Sequence, residues 1–165
     1  MLTRVDIDAT LSELDSLYNA SAKGSEQVYY SKIALMELCG WIEESIRFIA
    51  ESYNTNVIGP PNEKYIRDYL ENRSGFTYKS HLRKIVVQLV GMVNVVKIET
   101  NLKSSGTSYS ILATQLAALS NERNPAAHTH ITGTPTFSAP SLVIAELNQI
   151  YKSLCDLEVE INLIT

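Results

Sequence analysis

Between Glu26 and Tyr53 the apolar residues Val28, Leu35, Leu38, Ile42, Ile46, Ile49 and Tyr53 recur at intervals of three, four or seven. That spacing lays them along one stripe of an α-helix, whereas in a strand it would scatter them over both faces. Trp41 and Phe48 flank the stripe. A helix apolar along one side over such a length must bury that side, so the rest of the chain has to supply its cover.

The remaining pattern supplies it with more helix. Ile7, Leu11, Leu14 and Tyr18 predict a first helix over about residues 6–22, ended by Gly24, after which Ser25 is the expected N-cap of the long helix. Gly59, Pro60, Pro61 and Asn62 break the chain, because two prolines cannot continue a helix and Asn62 can cap the next one. A short helix is expected over about residues 63–72, with Ile66, Tyr69 and Leu70 facing inward and Gly75 past its end. Thr77 opens another, in which Leu82, Ile85, Val86, Leu89, Val93 and Val96 repeat every three or four residues. Its β-branched content makes a strand the competing reading for residues 85–96, and spacing and length favour the helix. Residues 101–107 read as a polar loop and 108–122 as a helix on Leu112, Leu116 and Leu119. After an irregular stretch at 129–140, Ser138 is the expected cap of a last helix carrying Val143, Leu147, Ile150, Leu154, Leu157 and Ile161. The fold expected is an all-α, single-domain helical bundle over residues 1–165, four longer helices building the core and shorter ones completing it.

Charge and composition narrow the function. With 18 acidic and 14 basic residues the chain has a net charge of −4, which argues against a protein that coats duplex nucleic acid. A local cationic site for a single phosphate is compatible with it. The longest apolar run, residues 85–96, is interrupted by Gln88 and Asn94, so no membrane-spanning segment is expected. Met1 to Asp6 show no charged region leading into an apolar one, and Cys39 and Cys155 fall in apolar helical patterns. The expectation is a cytoplasmic protein with reduced thiols, no cofactor and no metal. Glycine-rich phosphate loops, Cys-x-x-Cys pairs, His-Glu-x-x-His helices and nucleophile elbows are all missing from the sequence. His128 and His130 are two potential metal ligands without an evident third.

Chemistry concentrates in the run Glu122, Arg123, Asn124, Pro125, Ala126, Ala127, His128. Arg123 comes one turn after Leu119, at the end of a helix, and Asn124 and Pro125 read as N-cap and first residue of a new turn that carries His128. A guanidinium grips two phosphate oxygens with a rigid, permanently charged fork, and an imidazole transfers protons near neutral pH. Cleaving RNA without a metal needs that pair: a base for the ribose 2′-hydroxyl and a cation for the charge developing on phosphorus. Asn124 would position the phosphate or orient the imidazole. The bland alternative is a helix end, with Arg123 meeting the last carbonyls and His128 exposed. Glu43 and Glu44 read first as surface ion-pairing groups, and second as a carboxylate that orients Arg123. Lys79, His81, Arg83 and Lys84 form the one compact basic cluster, read as a solvated face or an RNA guide.

At Arg123, Asn124 and His128 the chain resembles the HEPN superfamily, whose signature is arginine, a polar residue, then histidine after four to six intervening residues. Here four intervene, the motif follows a helix and precedes the long last one, and the run Trp41 to Arg47 resembles the first core helix of several HEPN groups. The resemblance spans about residue 25 to the C-terminus, with residues 59–102 as a subgroup elaboration. It implies a homodimer in which two motifs share a cleft and cleave RNA to a 2′,3′-cyclic phosphate and a 5′-hydroxyl. The catalytic residues implied are Arg123, Asn124 and His128, in a toxin or antiviral defence effector with an antitoxin or defence-system partner. Other members of the superfamily are non-catalytic, so a helical module that binds a nucleotide or a partner protein is the alternative.

Overall fold

The computed structural model describes residues 1–59, 62–71, 74–128 and 137–164, the side chains of Ile58 and His128 excepted. Among the described residues six α-helices follow one another: α1 (Val5–Ala20), α2 (Gly24–Tyr53), α3 (Glu63–Glu71), α4 (Arg83–Ser104), α5 (Ser108–His128) and α6 (Pro140–Asn162). A π-helical turn, Asn54–Ile58, extends α2, and another, Tyr78–Leu82, leads into α4. No strand occurs among the described residues, so the helical reading of 85–96 stands.

Helix α2 is the axis. Its inward stripe, Leu35, Leu38, Ile42, Ile46 and Ile49, packs against α1, α5 and α6. Leu38, Ile42, Leu112, Leu116, Val143, Leu147, Ile150 and Leu154 are fully buried. Each such side chain contributes about 1.5–3 kcal/mol relative to leaving it in water. Helix α1 belongs to the same core through Leu11, also fully buried, and the core cluster takes in residues of α3 and α4 as well. Asn54 ties the end of α2 to the start of α3, its Nδ2 donating to the Glu63 carbonyl at 3.2 Å.

Helix starts differ from expectation where a local bond outcompetes the cap. Lys23, not Ser25, precedes the first helical residue of α2, and Ser21 orders that turn by donating to Glu26 Oε2 at 2.7 Å. Pro140 opens α6 with Ala139 as N-cap, so Ser138 caps nothing. Proline at the first position suits this start, its fixed φ being helical and its missing N–H one that has no partner there. Of the irregular stretch read at 129–140, residues 129–136 lie outside the described residues. Helix α4 also runs through Ser104, shortening the expected loop to residues 105–107.

The larger departure is inside α4, where Gly91 has φ 78° and ψ 159° and breaks the helix in two. The interruption shifts the helical phase. Leu82, Ile85, Val86 and Leu89 face the core before it, and Val95, Ile98 and Leu102 after it. Val93 and Val96, expected inside, are 73% and 52% exposed, beside Met92. Glu99 braces the kink: its Oε1 accepts from Arg83 Nε at 2.7 Å and from the Tyr78 hydroxyl at 2.8 Å. Burial alone would raise the Glu99 carboxyl, but these two donors outweigh it and hold it below the ordinary carboxylate value. By length and composition the stretch Tyr78–Ser104 is apolar enough to cross a membrane, contrary to the reading of its sequence, with a mean hydropathy of 1.4 in its most apolar window. Its inward residues are part of the bundle core.

Candidate functional site

Helix α5 does not stop where the sequence suggested. It continues through Asn124 and Pro125 to His128, so these residues are not the cap and first residue of a new turn. Proline has no N–H for the carbonyl four residues back, which leaves Asn121 without its helical donor. Packing offsets this, because Ala126 in the same turn is 1% exposed and held in the core. Pro125 borders a hollow of about 570 Å³ lined also by Asn121, Glu122, Phe137 and Ser138.

Arg123 follows Leu119 by one turn and comes against α2. Its Nη2 lies 3.4 Å from Glu43 Oε1, both side chains being about 30% exposed (30% and 27%). Of the two readings of the acidic pair on α2, the ion pair is thus with Glu43. Glu44 is exposed in the wall of a neighbouring cavity. A half-exposed pair at this distance is worth at most about 1 kcal/mol to stability. The Arg123 Nε is buried and has no hydrogen-bond partner among the described residues.

The surroundings of the guanidinium are acidic and partly buried. Cys39, 1% exposed, has its thiol pushed up to about 12 by burial, against the opposing pull of the Arg123 charge. Glu146 reaches in from α6; burial first, and the charge of Glu122 second, raise its carboxyl, and its Oε2 is buried with no partner among the described residues. Glu43 Oε1 also accepts the backbone N–H of Gly75 at 3.1 Å, which folds the segment before α4 back over α2. Next to this contact a cavity of about 380 Å³ opens, lined by Glu43, Glu44, Arg47, Glu71 and Ser74 over Ile46, Leu70 and Ile85.

Of the three residues singled out in the motif, Arg123 is therefore half-buried and paired. Asn124 is exposed and makes no side-chain hydrogen bond among the described residues. His128 ends α5, and its side chain lies outside the described residues, as does His130 with the metal reading that used both. No three metal-ligating side chains are grouped among the described residues. Gly75, Cys39 and Glu146 were not legible as site residues. Gly75 read only as a helix terminator and Cys39 as core, and no sequence signal singled out Glu146.

Comparison with protein-family models, curated proteins and solved structures found no match for this chain. What the fold and site define is an all-helical bundle with a half-buried arginine–glutamate pair beside a polar cavity.

Proposed function

We propose that this chain is a metal-independent endoribonuclease of the HEPN type, acting as a homodimer. The observation that carries the reading is Arg123, whose side chain is 30% exposed and is held by an ion pair to Glu43 at 3.4 Å. A guanidinium held on one side by a carboxylate and still partly open to solvent can take a phosphate oxygen. Positions 123 and 128 stand about 140° apart around a regular helix, so within one copy they do not face a single point and the reading requires a second copy to complete the cleft.

In the proposed reaction His128 removes the proton from a ribose 2′-hydroxyl. The 2′-oxygen attacks phosphorus, and the bond to the 5′-oxygen breaks. The leaving oxygen collects a proton from an imidazolium, giving a 2′,3′-cyclic phosphate and a 5′-hydroxyl. Arg123 carries the added negative charge in the transition state, and Asn124 positions the phosphate. A toxin or defence effector, with an antitoxin or defence-system partner, is the corresponding biological role.

The test is RNA cleavage in EDTA by the purified protein, by Arg123→Ala and by His128→Ala. Loss of about 10²-fold or more in each variant is expected for a charge-stabilising group and an acid–base group. Equal activity in all three removes the assignment.

One observation favours the alternative, a non-catalytic module binding a nucleotide or partner protein. Carboxylates surround the arginine, with Glu43, Glu122 and Glu146 at the site and Glu44 and Glu71 in the cavity wall. They oppose a long polyanion more than a single nucleotide. Nucleotide titration without cleavage would select that reading.

A further inference from the structure

Arg123 pairs with Glu43, and the same Glu43 oxygen is itself held by a backbone donor. The Gly75 N–H that reaches its Oε1 at 3.1 Å belongs to a residue with φ +104°, a backbone conformation that side chains disfavour. Space is closed there as well. A Cβ on Gly75 would lie 2.7 Å from His81 Nε2 and 2.8 Å from its Cε1, so the imidazole stacks directly on the glycine. The ring is anchored in turn: His81 Nδ1 and Thr77 Oγ1 share a hydrogen bond of 2.8 Å, and the His81 N–H donates to the Thr77 carbonyl at 3.0 Å. Thr77 precedes the π-helical turn and makes no side-chain capping bond, so its hydroxyl serves the imidazole. Contacts therefore run unbroken from Thr77 through His81 and Gly75 to Glu43 and Arg123.

We propose that Thr77, His81 and Gly75 are positioning residues for the Arg123 guanidinium. A glutamate carries several rotatable bonds, and an ion pair of 3.4 Å at this exposure restrains them weakly. A backbone donor on a clamped loop restrains them better, because it cannot rotate away. With Nε unpartnered, the Glu43 carboxylate sets where the fork points. Loosening the clamp lets Glu43 turn and takes the guanidinium with it, and a displacement of about 1 Å at a catalytic group costs roughly a hundredfold in rate. The effect on cleavage rests on the ribonuclease reading, whereas the effect on the guanidinium does not.

The experiment follows the Arg123 Nε–H signal in the ¹⁵N-labelled full chain, assigned by its loss in Arg123→Lys, together with RNA cleavage in EDTA. Thr77→Val removes the hydroxyl at nearly constant size, Thr77→Ser keeps it, and His81→Ala removes the ring. Thr77→Val and His81→Ala are expected to speed solvent exchange of that N–H about tenfold or more, as local opening becomes easier. They are also expected to lower kcat with little change in KM, Thr77→Ser matching the parent in both. Unchanged exchange in Thr77→Val and His81→Ala overturns the proposal. Should His81→Ala fail to fold, Thr77→Val against Thr77→Ser decides alone. If the parent cleaves no RNA while exchange still responds, the ribonuclease reading falls and the positioning role stands.

Discussion

Replacing Gly91 with alanine distinguishes a straight α4 from a broken one by the sign of the effect. In an unbroken helix alanine is better than glycine by about 1 kcal/mol, so a straight α4 would be stabilised. At φ 78° and ψ 159° the backbone occupies a region that is nearly glycine's alone, and holding alanine there costs about 1–3 kcal/mol. Nothing lies within 4 Å of the added Cβ, so the cost is conformational and not steric. Straightening the helix offers no escape. It would turn out Val95, Ile98 and Leu102, at most 2% exposed, in exchange for Val93 and Val96, and would pull Glu99 from Arg83 and Tyr78. For a chain of 165 residues each kcal/mol shifts Tm by about 2–4 °C. Gly91→Ala is therefore expected to lower Tm by roughly 2–12 °C, with the urea m-value unchanged, as read by calorimetry and denaturant melts. A Tm equal to or above that of the parent would refute the kink.

Glu146 is raised above its ordinary 4.5 by burial and by Glu122, so its ionised form disfavours the folded state. That penalty is full above the folded pKa, shrinks as pH falls through it, and vanishes below the unfolded value. Glu146→Gln should accordingly raise the urea midpoint at pH 8 and leave it unchanged near pH 4; the reverse order would contradict the buried placement. Cys39, buried and with its thiol near 12, should resist a thiol reagent at pH 8 while the half-buried Cys155 reacts, and both should react in urea. Leu116→Ala, at a fully buried position, should cost about 2–5 kcal/mol, whereas Val93→Ala, 73% exposed, should stay within about 0.5 kcal/mol. Equal urea midpoints for these two would undo the burial assignment of α4 and α5.

Local patterns carried far where one periodicity was unambiguous. The stripe on α2 could be met only by a helix, and the spacing of Leu112, Leu116 and Leu119 was equally decisive for α5. In α4 the same reasoning misplaced Val93 and Val96. Val86, Val87, Val90, Val93, Val95 and Val96 offer an apolar residue at nearly every helical phase, so periodicity cannot choose among them. At the site, Arg123 stood out by its spacing to His128, and Glu43 was one of two candidates to meet it. Pro125 misled, since a proline after a polar residue signals a helix start and here sits inside α5.

By itself the sequence determined that the chain is helical, where most helices run, and that one arginine lies where α5 approaches its end. These follow from interactions a few residues apart, which spacing and side-chain type encode directly. Tertiary structure alone decided the phase of α4 beyond Gly91, the choice of Glu43, and the Gly75 N–H that steadies it. A backbone donor looks alike at every residue, and whether it meets a carboxylate 32 positions away depends on how the helices pack.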